Sequence, residues 1–351
     1  MKFIFIIRSR PEPDPYMPSF RIRLLVVLLG LITSACSSND ETESGTLIIY
    51  SGRSADSVEA LITQFEAESG IDVEVRWDKT GPLAERLAAE GPQTSADIFF
   101  AQDAGYLGAL AQAGILGPLP SGIADLVPSG FTGAGNHWVA TSGRMRVLVY
   151  SPERIDRSQL PKTLAELSTT TARVGWAPTN SSYQAHISAL RSIWGDEQTR
   201  TWLREMSTLS PQVYKKNSPQ VEAVHNGEID IGWVNHYYLH RSRAANPSLK
   251  AENYHFPTEG DAGNLMMLSG IAVTAETDQP DSAEAFIRFL LSTTGQNWFT
   301  QKGYEYPIVE GIERHADLPE ATAGRAVVNQ EVLSDVMGTR TLLDELDIKS
   351  Q

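Results

Sequence analysis

Two adjacent tyrosines, Tyr237 and Tyr238, are the side chains of this 351-residue sequence best placed to do chemistry. They follow the segment at 229–234, just past the carboxyl end of an expected strand, where ligands gather in open α/β sheets. A free phenol ionises near pH ~10, and a bound cation favours the deprotonated oxygen. On residue type alone the pair fits either partly buried packing or a metal centre. Asn235 is by itself an ordinary turn residue and Arg144 an ordinary surface or ion-pair residue, while Arg53 and Asn217 carry less signal still. His236 and His240 stand four apart, a zinc-like spacing on a helix, but the HxxxH string lacks the general-base glutamate of metalloproteases. His137, His186 and His225 show no ligand spacing and read as structural.

Nucleophilic and phosphate-binding signatures are absent from the sequence: there is no Walker loop, no GxSxG and no GxGxxG after a strand. The many carboxylates are scattered over helix faces, so a binding role is favoured over an enzyme, and any ATP hydrolysis belongs to a separate partner. A metal-dependent hydrolase using His236 and His240, and a surface lipoprotein for adhesion or envelope structure, are the rival readings. Hydrophobic residues at 41% and charged residues at 21% fit a soluble two-lobed α/β protein. The formal charge of −14 excludes nucleic acid and anionic membrane surfaces as natural partners. A lone cysteine, Cys36, excludes an intramolecular disulfide.

Residues 24–32, LLVVLLGLI, follow Arg21 and Arg23 and are too short to span a membrane but suit a signal-peptide core. The next four, Thr33-Ser34-Ala35-Cys36, resemble a bacterial lipobox, with Thr33 where leucine is commoner. That resemblance implies a signal peptide at 1–35, a lipid on Cys36, a polar tether to residue 45, and an exported chain held at the periplasmic or extracellular face. Glu12, Asp14 and three prolines before Met17 suit a start there better than one at Met1. Losing residues 1–35 removes five of the 29 basic and two of the 43 acidic residues and moves the formal charge from −14 to −17. Ser37, not aspartate, follows the cysteine, which by the sorting rule of Gram-negative lipoproteins permits the outer membrane.

The elements that must position the tyrosines can be read from periodicity. LIIY at 47–50 is a buried strand, and Val58, Leu61, Ile62 and Phe65 mark a helix that Ser54 caps and Gly70 ends. A strand at 72–77, a helix at 82–90 opened by proline, and a strand at 97–100 complete a β-α-β-α-β order, hence a parallel sheet. Strands at 174–177 and 229–234, helices at 185–193 and 197–209, and a strand at 271–274 follow. A helix carrying Ala285, Phe286, Phe289 and Leu290 comes next, then a polar surface helix at 326–346. With no Pro-Gly-Ser linker, the lobes are joined by strands: residues 46–145 plus 271–347 in the first, 146–270 in the second.

The strings YSGRS (50–54), FEAESGIDVEV (65–75), EGPQTSADIFFAQDAGYLGALAQAGIL (90–116), SGRMRVLVY (142–150) and VNHYYLHR (234–241) are similar to those of bacterial ferric-ion-binding proteins. These belong to the type II periplasmic-binding-protein superfamily. The resemblance covers nearly the whole chain after the tether and implies a two-lobed α/β fold with a ligand cleft between the lobes. It puts the family's paired tyrosine ligands on Tyr237 and Tyr238, its anion-contacting asparagine on Asn235, and a third phenolate on Tyr183, where other members carry phenylalanine. Two departures stand out: Ser54 replaces the first-lobe histidine and Gln102 the first-lobe glutamate. Arg53, Arg144 and Asn217 fall in segments that could hold a synergistic carbonate or phosphate.

Ferric iron is a hard cation that prefers oxygen donors, so the implied site is tyrosine-dominated and anion-assisted. Fe3+ is then cargo, captured by hinge closure of a monomer and delivered to the permease and ATPase subunits of an ABC importer, partners implied by the family alone. The alternative of the same fold is a carrier of a metal-free anion or small organic solute, with Arg53, Arg144 and Asn235 as its contacts.

Overall fold

The computed structural model describes residues 45–319, 333 and 335–348. The expected signal segment, Cys36, the tether as far as residue 44, and the expected start of the tail helix lie outside the described residues.

The chain first lays down β1 (Leu47–Ser51), α1 (Ala55–Ser69), β2 (Val73–Trp77), α2 (Thr80–Glu90), β3 (Ile98–Ala101) and α3 (Ala104–Gln112). β1 pairs in parallel with both β2 and β3, as helical crossovers require. α1 buries the expected stripe of Val58, Leu61, Ile62 and Phe65 and stops at Gly70, whose φ of 72° is left-handed. Ser54 occupies the N-cap of α1, but its hydroxyl meets Ser57 Oγ at 2.7 Å and caps no backbone amide. α2 begins at Thr80 rather than at Pro82, because proline fits anywhere in a first turn.

Next come β4 (Val139–Tyr150), β5 (Val174–Trp176), α4 (Ser181–Trp194), α5 (Asp196–Thr208), β6 (Gln212–Val213), α6 (Ser218–Asn226), β7 (Ile231–Asn235), α7 (Tyr237–Ala245) and β8 (Glu252–Tyr254). β9 (Met266–Val273), α8 (Pro280–Leu291), α9 (Thr293–Asn297) and α10 (Val336–Glu345) complete the described strands and α-helices. The strands are ordered β2-β1-β3-β9-β4-β7-β5-β6, with β8 also on β4. β4, buried along all 12 residues, pairs with β9 through its first part and with β7 and β8 through its second. One strand thus changes partner between Met145 and Arg146, and a register shift between Ala140 and Ser142 interrupts its pairing with β9 before that crossing.

Apolar packing divides on either side of that crossing. Phe65, Phe99, Phe100 and Phe286 belong to one core, while Trp176, Tyr183, Trp202 and Trp233 belong to another. β9 begins five residues earlier than the strand expected at 271, since Met266–Gly270 lacks the β-branched run that marks a strand in sequence. α10, expected on the surface of the first lobe, contributes Val336 to the first core and Leu342 and Leu343 to the second.

Candidate binding cleft

β7 ends at Asn235, and the chain passes through His236 directly into α7, so Tyr237 and Tyr238 form the first turn of that helix. The positive end of the helix dipole favours negative charge on their oxygens. Their rings are 4.5 Å apart, and both line a cleft of about 600 Å³. The Tyr237 hydroxyl accepts hydrogen bonds from Asn235 Nδ2 at 3.1 Å and, across the cleft, from Gln102 Nε2 at 3.5 Å. Tyr238 is hydrogen-bonded to Tyr237 and Asn217, and burial, reinforced by Tyr237, pushes its phenol above the ordinary range. Tyr238 therefore keeps its proton at neutral pH until something replaces it.

Behind the tyrosines lies Arg146, opposite Asn235 in the β4–β7 register and fully buried. It donates to Asn217 Oδ1 at 3.2 Å, to Asn235 Oδ1 at 3.4 Å and to the Trp233 carbonyl, and it stacks 4.9 Å from the Trp233 ring centroid. Each of these partners is neutral, and among the described residues no carboxylate pairs with it. Burial pulls its pKa down to about 10, with the charge of Tyr183, Tyr237 and Tyr238, when ionised, acting in the other direction. Arg146 was not among the candidates read from sequence. The available signal was strand periodicity: positions two apart share a face, so Arg146 follows wherever Arg144 points.

Arg53 and Arg144 do not share that exposure to unbalanced charge. Arg53 lines the cleft but forms a two-point pair with Glu305, at 2.7 and 3.1 Å, and bonds Ser269 Oγ at 2.6 Å. Burial raises the Glu305 carboxyl, but Arg53, Arg241 and hydrogen bonds outweigh it and hold the group low. Arg144 is fully buried, paired with Asp103, and reaches the same Ser269 Oγ at 3.0 Å. The loop that presents Arg53 packs so tightly that a Cβ on Gly52 would come within 2.3 Å of Thr80 Oγ1. Asn217 is buried, bridging Arg146 and Tyr238.

Tyr183 stands apart from the other tyrosines. It is wholly buried between Trp176 and Trp233, lines no part of the cleft, and its hydroxyl has no hydrogen-bond partner. Burial pushes its pKa up. His236 is buried as well, meeting the Tyr304 carbonyl at 2.6 Å through Nε2, and burial pulls its pKa to about 3. His240 stacks on Tyr304, and among the described residues no three His, Cys, Asp or Glu side chains gather as a metal site. The zinc-like spacing therefore brings no zinc-like cluster. Gln102 and Ser54 do line the cleft, whose lining as a whole also holds five cationic side chains, Arg53, Lys79, Lys215, Lys216 and Arg241, and two carboxylates, Asp56 and Asp78. In a chain of net charge −14 that local excess of positive charge is a property of the cleft.

Residues 47–305 match the family described as bacterial extracellular solute-binding protein. The chain belongs to that family. This solute-binding protein is 29% identical over 337 residues to the major ferric iron-binding protein of Neisseria meningitidis serogroup B, covering 94% of the present chain and 99% of the relative. Its fold matches that of iron-bound HitA from Pseudomonas aeruginosa with a TM-score of 0.82 and 29% identity, over 86% of this chain and 99% of the other. A Trichodesmium protein (IdiA, FutA) in complex with iron and citrate matches with a TM-score of 0.73 and 26% identity, over 86% and 99%. The two-lobed α/β architecture expected from the sequence is thus that of the family. As an extracellular solute-binding protein the chain is exported.

Proposed function

We propose that this solute-binding protein captures ferric iron through Tyr237 and Tyr238, together with a small anion, and delivers it to the permease of an ABC importer with a separate ATPase. The observation that carries the reading is Arg146, a buried guanidinium with only neutral partners beneath two adjacent phenols. A buried unpaired charge costs several kcal/mol, and phenolates or an incoming anion supply the missing negative charge. Two phenolates cancel two charges of the ferric ion, and a carbonate or phosphate, drawn by the cationic lining, fills remaining positions. The names of the Neisseria, Pseudomonas and Trichodesmium relatives support iron as the cargo. Asn217 and Asn235 orient the donors, while Arg53 and Arg144, already paired, hold the cleft wall. Tyr183 joins as a third phenolate only if the first turn of α4 moves, and its orphan hydroxyl is the feature that keeps it in the proposal. Lobes at 46–145 plus 271–347 and at 146–270 close by hinge motion about β4 and β9, and a lipid on Cys36 tethers a monomer to the envelope.

The cationic lining also suits a carrier of a metal-free anion, and one titration separates the two. Adding ferric citrate with bicarbonate to the purified protein should raise a visible phenolate-to-iron charge-transfer band that saturates near one ion per chain. Tyr237→Phe should weaken iron binding about a thousandfold, the equivalent of losing ~4 kcal/mol. An absent band at every iron level would give the cleft to the metal-free anion.

A further inference from the structure

Arg241 lies on α7 one turn beyond Tyr237, so the two side chains share a face of the helix. Its guanidinium carbon sits 4.7 Å from the centroid of the Tyr237 ring. Its hydrogen-bond partners among the described residues belong to the opposite wall: Nη1 donates to Ser57 Oγ on α1 at 3.1 Å, and Nη2 donates to the Gly303 carbonyl at 3.3 Å. The same Nη2 stands 3.8 Å from Glu305 Oε1, the carboxylate already paired with Arg53. Gly303 and Glu305 follow a π-helical turn, Trp298–Lys302, whose Phe299 is part of the first core. One partly exposed arginine thus joins a cleft tyrosine of the second lobe to three groups of the first.

We infer that Arg241 is a latch that holds the lobes closed and tightens only on a complete load of ferric ion plus anion. The inference rests on the ferric reading above. In the metal-free cleft only the quadrupole of the Tyr237 ring ties the arginine to that side. Iron binding forms an Fe–O bond at each tyrosine and releases each phenolic proton to solvent. Ion and two phenolates together leave one positive charge, which repels the guanidinium. A carbonate dianion turns that into one negative charge, which Arg241 shares with Arg146 behind the tyrosines. At the low effective dielectric of a closed cleft this reversal of sign outweighs the screened attraction available in water. Arg241 is therefore a positioning residue: it donates no atom to the cargo but makes closure conditional on the whole of it.

The test is carried out on the purified protein loaded with ferric citrate and bicarbonate. Small-angle scattering reports compaction on loading, decay of the phenolate band under a competing chelator reports release, and the band itself reports the ligands. Arg241→Gln, which keeps a hydrogen-bonding head and loses the charge, should still develop the band but compact less and release iron about tenfold faster. Ser57→Ala should speed release by about threefold, and the double variant by little more than Arg241→Gln alone, because both remove one interaction. Arg241→Lys, with charge but no planar fork, should restore part of the slow release. If Arg241→Gln shows the band with unchanged compaction and release, the latch is wrong and the ferric reading stands. If the wild-type protein shows no band, the ferric reading falls and the latch falls with it.

Discussion

The two walls of the cleft solve opposite electrostatic problems. On the first-lobe side, Arg53 meets Glu305, Arg144 meets Asp103, and Ser269 joins the two arginines, so each buried cation has its carboxylate. On the second-lobe side, Arg146 is just as buried but has only amide and carbonyl oxygens around it, with Tyr237 and Tyr238 above. The closed circuit joins β4 and β9 to the ends of β1 and β3, whereas the open one leaves a buried positive charge with no carboxylate beside it among the described residues. On the reading proposed above, binding capacity lies on the wall whose charge was left unbalanced.

Replacing one arginine from each wall by methionine tests this contrast most severely. Arg53→Met strands the Glu305 carboxylate in the interior, and breaking a buried pair in this way costs about 3–5 kcal/mol, with Arg241 at 3.8 Å making good a part. Arg146→Met strands no charge, so the metal-free protein should lose no more than about 1 kcal/mol, or gain, since apolar replacement of buried charge is often neutral or stabilising. Denaturant unfolding of both variants without iron measures the two effects, and equal losses would erase the distinction between the walls. Iron affinity should respond the other way round, falling further in Arg146→Met.

A smaller effect sharpens the contrast through protons. The Tyr238 phenol is raised by burial and by Tyr237, so it is protonated in the metal-free protein at neutral pH and, as the proposed ligand, must lose that proton when iron binds. Iron affinity therefore falls as pH falls, by about tenfold per pH unit for each proton expelled. Calorimetry in buffers of different ionisation heat counts the protons, and Tyr238→Phe should release about one fewer per ion than wild type. An equal count in both would mean that Tyr238 is not a ligand.

Much of this arrangement was legible before any coordinates. The βαβαβ order, the helix ended by Gly70 and the position of Tyr237 and Tyr238 past a strand followed from periodicity and capping. What remained hidden depends on distant partners. Arg144 and Arg146 are equivalent in sequence, two apart on one strand, and only the arrival of Asp103 beside the first gives them different roles. Glu305, 252 residues from Arg53, could not be matched to it by spacing. The tail helix reads as polar because its exposed face dominates the composition, yet Leu342 and Leu343 bind it to the second core.

Tyr183 is the place where resemblance and packing point in different directions. The family pattern makes it a third phenolate, whereas its ring lies 5.2 Å from Trp233 and 6.0 Å from Trp176, with a buried hydroxyl that bonds to nothing. An unsatisfied buried hydroxyl costs about 1–3 kcal/mol, so as a packing residue its replacement by phenylalanine should stabilise the metal-free protein by about 1 kcal/mol and leave the iron band unaltered. As a ligand that swings out on closure, the same variant should gain the same stability when empty but lose part of the band when loaded. Thermal unfolding of the empty protein cannot separate these roles, because both remove the orphan hydroxyl. The intensity of the band at saturating iron can, since it counts phenolates on the metal, and a reduced intensity in Tyr183→Phe would extend the unbalanced wall from α7 to the first turn of α4.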